Sequence, residues 1–419
     1  MSILLYNIFL LLYTAGVRFV ALFNPKARLW MQGRQNWADK LEQQLSARQK
    51  RPLIWMHCAS LGEFEQGRPV LEQIKTQYPD YQVLISFFSP SGYEARKNYA
   101  GADWVVYLPM DSAKNAKRFV TLLQPTLVLW IRYEFWYYYL SELQKKKIPV
   151  LLVSGLFRPT QPFFRWYGAL HRHMLFCFKA LFIQQQSSVD LLNSIGLKEV
   201  YLTGDTRFDR VSATAANPIH LPDIEAFIKG RKTLVAGSTW LEDEKELDHY
   251  CNTRTAYCYI IAPHEISEEH LVDLEKLVKN SIRYSRWKNE RLGDHAFQVL
   301  IIDNIGLLSR LYAYADLAYI GGGFGDDGLH NTLEAAVFGV PIVIGPNYEE
   351  YPEAIELIEQ GAAFSIATAL ELEKTFDELF SNDIERKKAA EAAKRYVKNN
   401  TGASKKIMDY IEANRLLTN

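Results

Sequence analysis

LAYIGGGFGDDGLHNTLEAAVFGVPIVIGP, Leu317–Pro346, is the stretch from which the fold can be read. The apolar run Leu317–Ile320 predicts a strand, and Gly321, Gly322, Gly323, Gly325 and Gly328 predict the loop that leaves it. His330-Asn331-Thr332-Leu333-Glu334 then predicts the opening of a helix, and Pro341–Ile344 the next strand. Glycines let a backbone approach a ligand closely, and a helix N-terminus offers unpaired N–H groups to a phosphate. Gly323–Gly328 also spells GxGxxG. A dinucleotide fingerprint, however, normally occupies the first βα turn of its domain, and Asp326 and Asp327 would set negative charge beside a pyrophosphate.

The same grammar extends in both directions. Leu53–Met56, Val83–Phe88, Trp104–Tyr107, Leu127–Trp130, Val150–Ser154, Ala180–Ile183 and Val200–Leu202 predict one series of strands. Thr233–Ala236, Cys258–Ala262, Val299–Ile302, Leu317–Ile320 and Pro341–Ile344 predict a second. Most are separated by about 20 to 30 residues, the spacing of βα units in a parallel sheet. Val211–Asp223 (VSATAANPIHLPD) loses periodicity and carries two prolines, which reads as a linker, and the tail from Glu371 reads as helical. The expected class is α/β, with two Rossmann-like parallel-sheet domains over 31–215 and 216–419 facing a ligand cleft.

Residues 1–30 stand apart. MSILLYNIFLLLYTAGVRFVALF, Met1–Phe23, holds one charge, Arg18, and is long enough to cross a bilayer or lie in its surface. A cleaved signal would carry basic residues before the apolar run, whereas Lys26, Arg28 and Arg34 follow it. Positive charge on that side keeps the following body in the cytoplasm. An N-terminal membrane anchor is expected; a buried first helix is the alternative.

Among 419 residues, 48 Lys+Arg balance 48 Asp+Glu, which argues against a nucleic-acid partner. A hydrophobic share of 48% with 23% charged residues excludes a disordered or fibrous chain. Aromatic content of 13% points to sugar or lipid contacts. Cys58, Cys177, Cys251 and Cys258 form no CxxC pair, which fits a reducing compartment and neither a disulfide framework nor structural zinc.

Leu53–Met56 runs into His57-Cys58-Ala59-Ser60-Leu61-Gly62-Glu63, which puts Glu63 at the start of the first helix. Ser60 and Glu63 fit a capping box, and Glu63 equally fits a general base for a hydroxyl. His57-Cys58 is a poor nucleophile pair, because neighbours on a strand point to opposite faces. Glu334 fits either a helix-dipole partner or an acceptor of two ribose hydroxyls. The succession of glycine loop, His-Asn and Glu resembles the sugar-nucleotide pattern of GT-B glycosyltransferases.

Five separated segments carry a closer resemblance: His57-x-Ala59-Ser60-x-Gly62-Glu63, Tyr133-Glu134-Phe135-Trp136, Gly204-Asp205-Thr206-Arg207-Phe208-Asp209, Ala236-Gly237-Ser238-Thr239 and Gly328-x-His330-Asn331-x-Leu333-Glu334. Together, in this order from about residue 30 to 400, they resemble the 3-deoxy-D-manno-octulosonic acid (Kdo) transferase family. The resemblance implies an inverting GT-B enzyme that moves Kdo from CMP-Kdo to a lipid A precursor at the cytoplasmic face of the inner membrane. It implies Glu63 as general base and Glu134 and Arg207 as stabilisers of the transition state. Nucleotide contacts would fall on Pro263 and His264, on Ile305, Gly306 and Leu307, and on Asn331, Thr332, Leu333 and Glu334. The chain departs from the pattern at Ala262-Pro263-His264, where many relatives carry Pro-Arg-His, at Arg207, where Lys is common, and at Gly306-Leu307, where Gly-Glu is usual.

A CMP leaving group is a phosphate monoester that amides and side-chain cations can stabilise, so no metal or other cofactor is expected. PFFRWYGALHRHMLFCF, Pro162–Phe178, predicts an amphipathic helix at a lipid headgroup surface, or a core helix with a basic outer face. On the first reading Arg158, Arg165 and Arg172 meet acceptor phosphates. The competing expectations are a UDP-dependent GT-B transferase or epimerase, and a membrane-tethered binding protein without turnover.

Overall fold

The computed structural model describes residues 3–46, 51–289, 297–326 and 328–418, which leaves Met1, Ser2 and Asp327 of the expectations above outside the described residues. The chain divides into two compact units, Met1–Arg210 with Thr401–Asn419, and Val211–Asn400.

In the first unit, β1 (Leu53–Cys58), β2 (Gln82–Phe87), β3 (Trp104–Tyr107), β4 (Leu127–Ile131), β5 (Val150–Gly155), β6 (Ala180–Ile183) and β7 (Val200–Leu202) form one sheet in the order β3-β2-β1-β4-β5-β6-β7. Every pairing is parallel. β1 is buried along its whole length because both of its faces are covered: Leu53 and Trp55 enter one core, Ile54, Met56 and Cys58 the other. A strand buried on two sides gains nothing from alternation, hence its continuous apolar run.

The second unit repeats the plan. β8 (Thr233–Thr239), β9 (Cys258–Pro263), β10 (Ser281–Arg283), β11 (Val299–Ile301), β12 (Leu317–Ile320), β13 (Ile342–Ile344) and β14 (Ala363–Ser365) pair in parallel in the order β10-β11-β9-β8-β12-β13-β14. The sequence reading lacks β10 and β14. Both are three-residue edge strands with a polar residue at one end or more, and such segments carry no periodic signal.

Other expectations change with the coordinates. Residues 401–419 belong with the first unit rather than the second. The helix Ala403–Ala413 buries Ile407, Met408 and Ile411 in the core that holds Phe64 and Ile74, and the Asp209 carboxylate accepts from the Gly402 and Ser404 amides at 2.5 and 2.6 Å. The supposed linker 211–223 is helical through Ala216, since its small residues extend Thr206–Ala216. A second helix begins at Pro222, where the missing N–H costs nothing.

Pro162–Phe178 is not one helix. It forms a short 3₁₀ turn, Pro162–Phe164, and a separate helix, Ala169–Leu175. Gly168 sits so tightly in the break that a Cβ there would lie 1.8 Å from the Pro162 carbonyl oxygen.

The helix Ile3–Val20 is the one described helix long and apolar enough to cross a membrane, with a mean hydropathy of 1.8. It groups with the first unit instead of forming a separate body. Tyr6 and Leu10 pack with Leu170, the Tyr6 hydroxyl donates to Asp111 at 2.7 Å, and the Tyr138 hydroxyl donates to Asn7 at 2.8 Å.

Candidate active site

The first unit gathers its polar side chains where the adjacent strands β1, β4 and β5 end. Ser60 caps the helix Leu61–Gln77 by conformation alone and makes no side-chain cap bond. Glu63 supplies the other half of a capping box in altered form: its carboxylate reaches back to accept from the Ala59 amide. Glu63 is only 7% exposed. Burial pushes its carboxyl up to about 8 and the nearby Glu134 charge adds to this, while the Ala59 and Tyr133 amides and Arg132 pull the other way. The helix start thus holds the carboxyl, and the desolvated setting raises its proton affinity.

Glu134 follows β4 on a turn that begins with Arg132 in the left-handed region at φ 62°. Its Oε2 lies 3.2 Å from His57 Nε2 and accepts from Trp136 Nε1 at 3.1 Å, and its main-chain carbonyl accepts from Trp130 Nε1. Arg207 opens the helix Thr206–Ala216, where its Nε donates to Asp205 at 2.7 Å and its amide to the same carboxylate at 2.8 Å. Next to it, the Thr206 hydroxyl lies 2.8 Å from the Ser154 hydroxyl at the end of β5. It also donates to the Gln66 carbonyl at 2.6 Å, which ties this helix start to the helix of Glu63.

The arginines expected to meet an acceptor have different settings. Arg158 and Arg165 are exposed. Arg172 instead donates from one guanidinium nitrogen to the Phe163 and Arg165 carbonyls, at 3.1 and 2.8 Å, and so closes the loop that carries Trp166.

In the second unit the expected nucleotide contacts follow the ends of β11, β9 and β12, three strands within the run β11-β9-β8-β12. Pro263 ends β9. The exposed His264 ring stacks on Trp240 at 4.5 Å between centroids and lies 4.5 Å from His330. Trp240 Nε1 donates to His330 Nε2 at 3.4 Å. Ile305 is 88% exposed beside Gly306, and Leu307 precedes the short helix Leu308–Leu311. Thr332 is buried with no hydrogen-bond partner for its hydroxyl. Asn331 Nδ2 donates to Glu334 Oε1 at 3.4 Å, while its Oδ1 accepts from the Leu333 amide at 3.3 Å.

Two features of the glycine stretch differ from expectation. The helix that it opens, Leu333–Ala336, is a single turn, so individual amides rather than a long aligned dipole are available there. The glycines also have a packing reason. A Cβ on Gly321 would lie 2.3 Å from the Ser238 carbonyl oxygen, and one on Gly323 would lie 2.7 Å from the Gly345 amide. Asp243 pins the loop: its carboxylate accepts from Tyr319, Gly322 and Trp240 at 2.7, 2.9 and 2.9 Å, and burial raises its carboxyl.

Residues 35–210 match the family described as 3-Deoxy-D-manno-octulosonic-acid transferase (kdotransferase). Over 381 residues the chain is 25% identical to a 3-deoxy-D-manno-octulosonic acid transferase of Haemophilus influenzae, covering 86% of this chain and 88% of that one. It is 25% identical over 340 residues to the Aquifex aeolicus protein of the same name, covering 78% and 86%. A Chlamydia trachomatis transferase of that name is 26% identical over 359 residues, covering 83% and 82%. The chain thus carries a Kdo transferase domain over residues 35–210 and is similar to Kdo transferases along most of its length. It is a glycosyltransferase. Its fold is that of GT-B proteins. UDP-GlcNAc 2-epimerase from Neisseria meningitidis superposes with a TM-score of 0.63 at 15% identity, covering 86% of this chain and 100% of that one. MurG from Acinetobacter baumannii does so with 0.52 at 16%, covering 87% and 99%.

Against the family pattern, three side chains at these strand ends escape a reading of motifs, and a fourth, Asp205, stands inside one of them without its role being announced. Arg132 acts on the Glu63 carboxyl through charge and carries a positive φ that no residue-type signal announces. Asp205 neutralises part of Arg207, and Asp243 looks like an ordinary acidic residue in a first helical turn. Trp240 was legible only as an aromatic beside Thr239; its stack on His264 depends on β8 and β9 being neighbours. Among the described residues no group of three His, Cys, Asp or Glu is arranged to hold a metal ion, and the four cysteines are buried and free.

Proposed function

We propose that this protein transfers Kdo from CMP-Kdo to a hydroxyl of a lipid A precursor, with inversion, in lipopolysaccharide core biosynthesis. The observation that carries the reading is Glu63, a buried carboxyl with its proton affinity raised to about 8 at the end of β1. Such a group is a stronger base than a solvated carboxylate and stands near the pH at which proton transfer is efficient.

In the proposed reaction Glu63 takes the proton of the acceptor hydroxyl as its oxygen attacks the anomeric carbon of Kdo. The bond from that carbon to the phosphate oxygen breaks, and its electron pair leaves with CMP. A single displacement inverts the centre. Glu134, held by His57 and Trp136, and Arg207, held by Asp205, stabilise the transition state. The second unit takes the cytidylate, with amides around Gly306 and Leu333, the Thr332 hydroxyl and the stacked His264 as its contacts, and Glu334 on the ribose. The monoester charge of CMP is low enough for these groups, so the reaction is metal-independent. Arg158 and Arg165 are the acceptor-phosphate candidates, and Arg172 supports their loop. The apolar N-terminal helix keeps the enzyme at the inner membrane, with its body on the cytoplasmic face.

The test supplies purified protein with CMP-Kdo generated in situ and a lipid A precursor. Kdo-lipid product that is lost in Glu63→Gln supports the reading. No product, or protection by UDP and none by CMP, overturns it.

A further inference from the structure

The helix Ile3–Val20 is inside out. Its protein-facing positions include Tyr6, Asn7 and Thr14, and all three have hydrogen-bonding groups in use: Tyr6 with Asp111, Asn7 with Tyr138, and Thr14 with the Leu10 carbonyl. Its outer positions are apolar, with Leu4, Leu11, Leu12 and Phe19 each about two-thirds exposed or more (68, 72, 68 and 67%). Leu22 and Phe23 continue this face at 65 and 77%. Tyr6 and Leu10 are buried and the Tyr13 ring meets Trp30 and Phe88, so the first three turns of the helix lie against its own unit. A helix held in this way cannot cross a bilayer without drawing the protein surface with it; it fits the plane of the interface.

At the basic end of this helix is a cavity of about 340 Å³, enough for a headgroup-sized ligand. Arg18, Arg34, Gln35 and Asn115 bring polar groups to it, Trp37 and Met110 apolar ones, and no Asp or Glu is among its described lining residues. Arg34 is the unusual member. Its guanidinium donates to the Leu108, Trp30 and Phe88 carbonyls at 2.8, 3.0 and 2.6 Å and lies 3.9 Å from the centre of the Trp30 ring. It forms no ion pair with a carboxylate among the described residues. Three of its five N–H groups serve these carbonyls, which leaves two. Burial lowers it to about 10, so it stays charged at neutral pH, with carbonyls and the Trp30 and Phe88 ring faces as its near neighbours. Arg34 is only partly buried, and an anion in the cavity that it lines would give its remaining N–H groups a charged partner.

We propose that this cavity binds the phosphate of an anionic membrane lipid, clasped by Arg18 and Arg34, while the outer face of the helix lies among the acyl chains. The proposal rests on the membrane-associated reading of that helix. Arg18 belongs to both the helix and the cavity, so a phosphate at headgroup depth reaches it where the apolar face enters the lipid. Arg binds phosphate through paired N–H groups, which sets this contact apart from diffuse attraction.

The experiment is flotation of the full-length protein with phosphatidylcholine vesicles and with vesicles that also contain phosphatidylglycerol. Binding to the neutral vesicles tests the helix alone, and failure there overturns the membrane reading itself. The wild type is expected to gain on the anionic vesicles. Arg18→Gln is expected to lose more of that gain than Lys26→Gln, an exposed cation on the same segment outside the cavity, where the loss is about five-fold for one surface charge. Arg34→Lys, which keeps the charge and removes the fork, is expected to lose the gain too. Should it unfold, Arg18→Gln against Lys26→Gln decides. Equal losses at Arg18 and Lys26, or no anionic preference, overturn the cavity. Glycerol 3-phosphate that removes only the Arg18-dependent part identifies phosphate as the group bound. Equally tight binding of free inorganic phosphate without vesicles overturns a lipid as its source.

Discussion

Nε2 of His57 lies 3.2 Å from Oε2 of Glu134, and Nδ1 of the same ring lies 2.9 Å from the Ser86 hydroxyl. The imidazole is fully buried in β1 and packs 4.5 Å from Trp130 in β4, so the carboxylate of one strand end is oriented by a side chain of its neighbour. His57 cannot itself reach solvent-borne substrate; its part is to position Glu134.

Replacing His57 by Ala is therefore expected to lower kcat by about 10²-fold, the effect of a misplaced catalytic group, with a smaller change in the donor KM. Steady-state kinetics on folded protein, with thermal unfolding measured in parallel, separates this from loss of packing. An unchanged kcat removes the positioning role.

Glu63 predicts a pH profile. A general base works only when deprotonated, and this carboxyl is raised to about 8 by burial. At pH 7 most of it is protonated, so kcat/KM should rise about tenfold per pH unit below 8 and level off above it. Arg132→Ala removes a charge that favours the carboxylate and should move the rising limb to higher pH. Glu63→Gln should lower the rate by about 10²- to 10⁴-fold and abolish the limb. A limb that survives in Glu63→Gln assigns the titration to another group.

Trp240→Ala removes the ring on which His264 stacks. Aromatic stacking contributes about 0.5–1.5 kcal/mol, so the donor KM should rise roughly 2- to 10-fold with kcat little changed. Competition by CMP reads the same loss directly. Trp240→Phe should keep part of the affinity, since it retains a smaller aromatic face and loses the Nε1 donor to His330.

Activity should survive dialysis against EDTA unchanged, because the proposed leaving group is a monoester held by amides and side chains. Loss on chelation and return with a divalent cation would show that charge neutralisation by metal is required.

Ile407→Ala opens a hole in the core shared with Phe64 and Ile74 and should cost about 2–5 kcal/mol by chemical denaturation. Truncation after Asn400 should prevent the first unit from folding, since Asp209 loses the Gly402 and Ser404 amides at the same time.

The strands were legible because burial on two faces forces unbroken apolar runs such as LIWMHC and LVLWI. β10 and β14, with three residues each at the sheet edges, impose no such demand. The helix expected over Pro162–Phe178 failed on a single contact, the approach of Gly168 to the Pro162 carbonyl, which no periodicity reveals. At the candidate site, Glu63 could be placed from its strand-to-helix position, whereas its raised proton affinity comes from burial and from the charge of Glu134, seventy residues or so further along the chain. The Trp240 stack, the Asp243 bonds and the His57–Glu134 contact likewise form only once β1 lies beside β4 and β8 between β9 and β12. The destination of residues 401–419 was invisible for another reason: an amphipathic helix states that it must dock, and not on what.

The return of Ala403–Ala413 to the first unit also fixes an order of events on the ribosome. Residues 211–400 must all be synthesised before Ile407, Met408 and Ile411 arrive, a delay on the order of ten seconds or more at ordinary elongation rates. Throughout that interval the surface of Phe64, Val70 and Ile74 that they cover stays open on the nascent chain. The amino-terminal half is thus made first and completed last.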